Sequence, residues 1–234
     1  ACHGIGGQVW ALELHHLIQH ACYRLSTRMD PVISGSHTQE IANSLHGCVQ
    51  LRHRLPPELV VTLLQRLTDY LQQAQAAYEA KELSSALLSC LYQACAPPSN
   101  VLRVLLQCLS ASDVDLQARA NTVYAVCGLL FVQQDHATLQ QCLPQLRTLA
   151  TVDSLEDMEH ARQLLQAHQA CAAMGVDQLL PAALLNKCQQ LIKQHNVDTR
   201  PSRLQEQVTS VLKGLHMIKA VHVEVPVLME TSQV

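Results

Sequence analysis

Residues 81–90 read KELSSALLSC, and residues 97–106, after a short gap, read PPSNVLRVLL. The same two-part arrangement stands earlier in the chain, as QEIANSLHGC at 39–48 and PPELVVTLL at 56–64. In both copies a double proline opens a second segment that is rich in leucine and valine. Self-similarity at a period of about 20–50 residues predicts a stack of repeated units rather than a single globule.

Two weaker copies extend the pattern toward the C-terminus. The third reads ARANTVYAVC at 118–127, and the fourth begins around Ala161. Aligning Ala42, Ser84, Ala120 and Ala161 gives offsets of 42, 36 and 41 residues between neighbouring copies. Unequal offsets are expected where the loops of the repeats differ in length.

Each copy is predicted to form a helix, a turn and a second helix. Ser36 with Gln39 makes a capping-box pattern, so the first helix is expected to begin near Ser36. Pro56-Pro57 should open the second helix, because a proline at the first helical position removes no intrahelical hydrogen bond. Pro97-Pro98 repeats this arrangement in the second copy.

The fourth copy carries its own start and stop signals. Ser154 with Asp157 predicts an N-terminal cap, and the acidic residues around them suit the positive end of a helix dipole. Gly175 predicts the end of this helix, and Pro181 begins the second half of the copy.

The composition agrees with an all-α fold. Hydrophobic residues make up 48% of the 234 residues, but Phe, Trp and Tyr only 3%, whereas strands usually recruit aromatic residues. One helix pair cannot bury its apolar face alone, so neighbouring pairs must stack. We predict an α-solenoid of about four helix-turn-helix repeats over 36–197. Residues 1–35 should hold one flanking helix, a degenerate repeat, and 198–234 a short helix-strand extension.

The charge is nearly neutral, with a formal net charge of -3. This total does not describe a strongly basic nucleic-acid binder. Its distribution is uneven, because residues 187–219 carry six basic residues against Asp198 and Glu206. This segment is the best candidate for a basic patch.

The ten cysteines stand singly within apolar helical patterns rather than in a spaced framework. We interpret them as reduced core residues, which indicates a reducing compartment. No run approaches the 18 or so apolar residues of a membrane span, so no membrane partner is expected.

The repeat pattern resembles the octotricopeptide and heptatricopeptide repeats of organellar RNA-binding proteins. The residues that carry the resemblance are 40–45 with 56–59, 82–87 with 97–98, and 120–125. His46 and Tyr124 stand where this family often has an aromatic residue, and Leu88 departs from the pattern. The resemblance implies a helical-repeat fold and an association with RNA in an organelle.

The C-terminal segment is similar to the opening of a RAP domain, a module that often follows such repeats. The matching stretches are SRLQEQV at 202–208 and VHVEVPV at 221–227. The resemblance implies a helix followed by strands in a nuclease-like fold. No acidic centre of such a fold is present before Val234, so no catalytic residue is carried over.

No pattern in the chain predicts an enzyme, a cofactor or a small-molecule substrate. Cys90 and Cys95 lack the second cysteine pair of a zinc site, and His16 and His20 lack the acidic residue of a metalloprotease motif. The glycines at 4–7 follow no strand pattern, so they do not form a phosphate loop. The chain is therefore expected to bind without catalysis and without a metal.

Candidate RNA-contacting residues form two groups. The first group holds one residue at the equivalent position of each repeat, from which that repeat would contact one nucleotide on the concave face. Its members are Asn43, Ser85, Asn121 and Arg162. Alternatively, the side-chain amides of Asn43 and Asn121 bond to the backbone of the neighbouring repeat. The recurrence of the same residue type favours this structural role, because a nucleotide-reading position would vary between repeats. Candidates for phosphate contacts are Arg52, Arg54, Arg103, Arg119, Arg162, Lys187, Lys193, Arg200, Arg203, Lys213 and Lys219.

Stacking platforms for single-stranded bases are expected to be almost absent. Tyr92, Tyr124 and Phe131, like the other aromatic residues, stand at mostly core-like positions of the helical pattern. Sequence-specific readout of single strands therefore has little support from the sequence.

These observations predict a non-catalytic, RNA-associated scaffold in an organellar ribonucleoprotein. The favoured case is a mitochondrial ribosome subunit in the matrix that binds ribosomal RNA and neighbouring proteins, with the chloroplast stroma as the alternative place. A second hypothesis is a protein-only α-solenoid scaffold in another large mitochondrial assembly. A third is an RNA-processing or stability factor whose active centre lies in a RAP domain beyond Val234.

Overall fold

Eight helices follow one another between residues 36 and 196 of the computed structural model, which describes residues 16, 18, 20, 23, 36–72, 78–152, 155–176 and 178–196. They are α1 (Ser36–Gln50), α2 (Pro57–Leu71), α3 (Ala80–Gln93), α4 (Ser99–Ala111), α5 (Leu116–Gln133), α6 (His136–Ala150), α7 (Met158–Ala173) and α8 (Ala182–Asn196). No strand occurs among these described residues. The predicted all-α fold is confirmed for them, and each repeat copy matches one helix pair.

The two double prolines act at helix starts, but in different registers. Pro57 is the first residue of α2, as predicted, and Pro56 is its extended N-cap. In the second copy Pro98 is itself the N-cap and α4 begins at Ser99, one residue later than predicted. In both places the proline lacks an N–H group at a helix start, where a backbone N–H would have no intrahelical acceptor.

The start of α7 agrees with the prediction at Asp157. Asp157 caps the helix, its Oδ1 accepting hydrogen bonds from the backbone N–H groups of Glu159 at 2.7 Å and His160 at 3.1 Å. The helix begins at Met158, so the predicted capping role of Asp157 is confirmed, whereas Ser154 lies outside the described residues. A carboxylate at the cap accepts two N–H groups and also suits the helix dipole.

The end of α7 follows the prediction. Gly175 has a φ of 70°, a left-handed conformation that glycine adopts at no steric cost. Its N–H donates to the Ala172 carbonyl, and the N–H of Val176 donates to the Cys171 carbonyl, both at 2.9 Å. These two bonds form a Schellman motif, which closes the helix.

The helices pack in two layers. The first helices of the pairs, α1, α3, α5 and α7, contact one another in order, and the second helices α2, α4 and α6 do the same. Within each pair the two helices also touch, and α8 packs on α7. The result is an all-α architecture of stacked, repeat-like helix pairs around one continuous core.

The alignment of the repeats is reproduced in the packing of the first helices. The four matched residues Ala42, Ser84, Ala120 and Ala161 are all buried, with exposed fractions of 2% or less. The distance between packed helices depends on the side chains at their contact, so small residues permit close approach. The four equivalent positions therefore serve the same packing role in successive repeats.

Helix α5 is the most enclosed element. It contacts α3 on one side, α7 on the other and α6 behind it. A helix that is covered on several sides has apolar residues around most of its circumference. This accounts for the continuous run of buried residues at 125–127 and 129–130.

Several predictions fall on residues outside the described ranges. Of the N-terminal region 1–35, His16, Ile18, His20 and Tyr23 are described and are helical, and Ile18 packs against the core. The predicted extension at 198–234, with its strand at 221–227, lies outside the described residues. Within those that are described, no helix is long and apolar enough to cross a membrane.

The cysteines lie where the helical pattern predicts. Cys48, Cys90, Cys127, Cys142, Cys171 and Cys188 are buried free thiols, whereas Cys108 is half-buried. The interpretation of these cysteines as core residues is confirmed for the buried ones. In the described part of the chain, no three His, Cys, Asp or Glu side chains are grouped so that they could hold a metal ion.

Candidate functional site

The four predicted nucleotide-contacting residues lie one on each helix of the first layer. Asn43 is exposed, and Ser85, Asn121 and Arg162 are half-buried. Each follows directly after the buried small residue that marks the repeat alignment. The structure therefore brings these residues to equivalent positions on successive, mutually packed helices. We call them the polar row.

Two members of the polar row have partners within the chain. The Nε2 group of Gln163 donates a hydrogen bond of 3.0 Å to Asn121 Oδ1, which joins α7 to α5. Arg162 donates from its guanidinium to Glu159 Oε2 at 3.3 Å. Asn121 thus has the structural role that the sequence favoured, although it bonds to a side chain of the next repeat and not to its backbone.

Three aromatic side chains follow members of the polar row on the same helices, and two of them, Tyr92 and Phe131, are exposed rather than in the expected core-like positions. Tyr92 is seven residues after Ser85 on α3, and Tyr124 and Phe131 are three and ten residues after Asn121 on α5. The offsets of seven and three residues keep Tyr92 and Tyr124 on the same side of their helices as Ser85 and Asn121, and Phe131 in turn stands seven residues after Tyr124. Tyr92 is 56% exposed and Phe131 38% exposed, and Tyr124 is half-buried.

The rings of neighbouring repeats lie close enough to influence one another. Burial raises the pKa of the Tyr124 hydroxyl, and the nearby Tyr92 and Glu159 raise that pKa further. Tyr92 belongs to the preceding repeat and Glu159 to the following one. We call Tyr92, Tyr124, Phe131 and the half-buried Leu88 the aromatic patch.

A glycine explains the close approach of α3 and α5 under this patch. A Cβ atom placed on Gly128 would lie 3.1 Å from Cδ1 of Leu91 and 3.3 Å from its Cδ2. The missing side chain therefore leaves room for Leu91 against the α5 backbone. This contact brings the α3 and α5 parts of the patch side by side.

Of the described residues predicted to contact phosphates, only Arg119 and Arg162 lie on first-layer helices. Arg52 and Arg54 are exposed in the turn after α1, Arg103 is exposed on α4, and Lys187 and Lys193 are exposed on α8. These positions belong to different elements. Arg200, Arg203, Lys213 and Lys219 lie outside the described residues.

The Arg119 side chain forms hydrogen bonds within the third repeat. Its Nε donates to the Val114 carbonyl at 2.8 Å, and its NH1 group donates to the Thr151 carbonyl at 3.0 Å. These bonds connect the start of α5 to the end of α6. The Arg119 guanidinium is therefore partly satisfied by backbone oxygens before any phosphate approaches.

A cleft of about 650 Å³ opens where α6, α7 and α8 meet. Arg147, Thr151, His168 and Gln178 supply its polar lining, and Arg147 Nε donates to the Gln178 carbonyl at 3.2 Å. Among the residues that the structure describes, no carboxylate, serine or cysteine lines it.

The aromatic patch is the feature that sequence reasoning missed. Tyr124 and Leu88 each stand three residues after a member of the polar row, and Tyr92 stands seven residues after Ser85. This helical spacing was the signal available in the sequence.

No family model matches the chain, and no curated protein or solved structure is significantly similar to it.

Proposed function

We propose that this chain is a non-catalytic scaffold that binds RNA along the exposed side of its first-layer helices, as part of an organellar ribonucleoprotein. The supporting observation is that the consecutive first-layer helices α3 and α5 carry both members of the polar row and the rings of the aromatic patch. The favoured assembly is the mitochondrial ribosome, and the chloroplast is the alternative compartment.

The finer architecture in this proposal is an α-solenoid of about four helix pairs. The small matched residues and the contact of Leu91 with Gly128 allow close spacing in the first layer. In a curved stack the layer with the shorter spacing lies on the inner side. The polar row and the aromatic patch would then face the concave surface, where repeat proteins hold extended partners.

The chemistry of this surface suits unpaired bases better than a duplex. Amide side chains such as Asn43 can donate to and accept from base edges, and exposed rings such as Tyr92 and Phe131 can stack on base faces. Double-stranded RNA would instead offer phosphates and 2′-hydroxyls. Single-stranded segments are therefore the proposed ligand.

The charge of the surface argues for a subunit rather than a free binder. Lys81 is 2.7 Å from Glu79, and Arg162 is 3.3 Å from Glu159, so both cations already have partners. Phosphate contacts supply most of the non-specific affinity of nucleic-acid binders. Neighbouring subunits would have to supply much of that affinity here.

Ultraviolet cross-linking in intact organelles tests the proposal. Attached RNA is sequenced, and the same lysate is sedimented through a gradient. We expect cross-links to ribosomal RNA and comigration with the ribosome peak. A protein without cross-links in an RNase-resistant complex would refute the proposal.

That outcome would support the second candidate, a protein-only scaffold. The observation that favours it is the aromatic patch itself, because Leu88, Tyr92 and Phe131 also suit the apolar side of a partner helix. The two candidates differ in what removes the partner. RNase would release an RNA-dependent partner and leave a helix-bound one in place.

A further inference from the structure

Two buried cysteines face each other between the third and fourth repeats. The Sγ atoms of Cys127 on α5 and Cys171 on α7 are 3.4 Å apart, in hydrogen-bonding contact. Both residues have exposed fractions of 0%, and both are free thiols. A disulfide has an S–S distance of about 2.05 Å, so the two sulfurs would have to come about 1.4 Å closer to bond.

The two thiols are chemically different. The hydrogen bond between the two sulfurs lowers the pKa of Cys171, and the positive charge of Arg147 acts in the same direction. The same hydrogen bond and complete burial raise the pKa of Cys127. Cys171 is therefore the member that loses its proton first and becomes the nucleophile.

We propose that Cys127 and Cys171 form an oxidation site, at which hydrogen peroxide closes a disulfide between α5 and α7. This inference is independent of RNA binding. It assigns a chemical role to two side chains that the proposed RNA-binding surface does not use.

The reaction balances in two steps. The Cys171 thiolate attacks one oxygen of hydrogen peroxide, the O–O bond breaks, and the departing hydroxide takes up a proton to give water and a sulfenic acid. The Cys127 sulfur then attacks the Cys171 sulfur and loses its proton, and the S–O bond breaks to release a second water. Two thiols supply the two electrons that reduce the peroxide.

The position of Cys171 explains how an oxidant reaches a buried sulfur. Cys171 lies in the last turn of α7, and its carbonyl accepts the closing bond of the Schellman motif from Val176. Helix ends open locally at a lower free energy than core helices. Opening of this one turn would admit a molecule as small as peroxide.

The disulfide would change how the repeats move. Cys127 belongs to the most enclosed helix, whereas Cys171 lies near the end of its helix. A covalent bond between them would prevent α7 from separating from α5. Oxidation would therefore stiffen the junction of the third and fourth repeats.

Peptide mapping of the full-length chain tests this proposal. The reduced protein receives one equivalent of hydrogen peroxide, is quenched with N-ethylmaleimide after the peroxide is consumed, and is digested for mass spectrometry. We expect a linked peptide pair containing Cys127 and Cys171, lighter by two hydrogens and separated again by dithiothreitol. Slower amide exchange in α7 of the oxidised protein is the expected second readout.

Two variants serve as controls. Cys171→Ser should abolish the linked pair, and Cys90→Ser, which removes another buried thiol, should retain it. Because serine at a buried position can unfold the chain, the wild-type map decides the matter by itself. Cys127 and Cys171 recovered as alkylated thiols, or Cys127 linked mainly to Cys142, would overturn the proposal.

Discussion

Thr38 on α1 donates a hydrogen bond of 2.5 Å from its hydroxyl to Oε2 of Glu82 on α3, and both side chains are buried. The same Glu82 oxygen accepts the backbone N–H of Glu79 at 3.3 Å, so one carboxylate both caps α3 and joins it to the preceding repeat. A buried acceptor that loses its hydrogen-bond donor lowers the stability of the folded chain. Substitution of Thr38 is therefore expected to destabilise the packing of α1 on α3.

Thr38→Val should lower the free energy of unfolding by about 1–3 kcal/mol, because it removes the donor and keeps the shape of the side chain. Urea denaturation of the full chain measures the loss. Thr62→Val is the matched control, since the exposed Thr62 hydroxyl bonds only to the Glu58 carbonyl of its own helix. Equal losses of unfolding free energy in the two variants would show that the Thr38–Glu82 hydrogen bond stabilises the chain no more than the local hydrogen bond of Thr62.

Gln93→Leu should loosen the turn between α1 and α2. The Gln93 amide accepts from the Leu55 N–H at 3.1 Å and donates to the His53 carbonyl at 3.0 Å. Losing both bonds should cost about 1–3 kcal/mol and speed hydrogen exchange at the Leu55 amide. Gln133→Leu, at an exposed position, should change neither. An unchanged exchange rate at Leu55 would count against the role of Gln93.

Ala120→Leu should destabilise the chain by about 1–3 kcal/mol, because a leucine overfills a fully buried site in a packed layer. The thermal midpoint and the urea midpoint should both fall. Gln117→Leu adds leucine at an exposed position of the same helix, and its effect should stay within about 0.5 kcal/mol. A tolerated Ala120→Leu would contradict the close packing of the first-layer helices.

Asp135→Asn should make the chain less sensitive to acid. Hydrogen bonds from the Thr138 side chain and backbone N–H lower the pKa of Asp135, which caps α6. A lowered folded pKa contributes stability above the ordinary value of about 3.9, and this stability is lost as the pH falls through the folded value. Asparagine still caps but does not titrate. Unfolding midpoints between about pH 5 and 2 should fall less steeply in the variant; parallel curves would contradict the assignment.

Tyr92→Ala and Phe131→Ala should each weaken binding of a single-stranded oligouridine, by about 5- to 150-fold if each ring stacks on one base at about 1–3 kcal/mol. Fluorescence anisotropy with the full chain measures the affinity. Leu51→Ala is the control, because Leu51 is 55% exposed in the turn after α1 and lies off the aromatic patch. Equal affinities for all three variants and the wild type would remove the aromatic patch from the RNA-binding surface.

Much of the fold follows from the sequence. The equivalence of Ala42, Ser84 and Ala120 is visible in the repeated pattern, and all three are buried as first-layer packing residues. Pro57 and Gly175 mark a helix start and a helix end because their conformational preferences act locally. Signals of this kind depend on a few neighbouring residues, so one sequence suffices to interpret them.

The candidate site could be predicted from the sequence only in part. The sequence identified the polar row, but it placed Tyr92 and Phe131 in the core, where the structure shows them exposed. A helical period shows that two residues share a side of a helix, but it does not show whether a neighbouring helix covers that side. That depends on the contacts between repeats.

The sequence by itself determined the all-α class, the four helix pairs within 36–196 and the burial of most of the described cysteines, because hydrophobic periodicity and helix caps are local properties. Only the tertiary structure decided that Arg119 binds backbone carbonyls, that Asn121 accepts from Gln163 and that Cys127 meets Cys171. Apart from the local bond of Arg119 to the Val114 carbonyl, each of these contacts joins residues that are at least 32 positions apart in the sequence. Such contacts arise from the packing of repeats, which acts over distances that no short sequence pattern encodes.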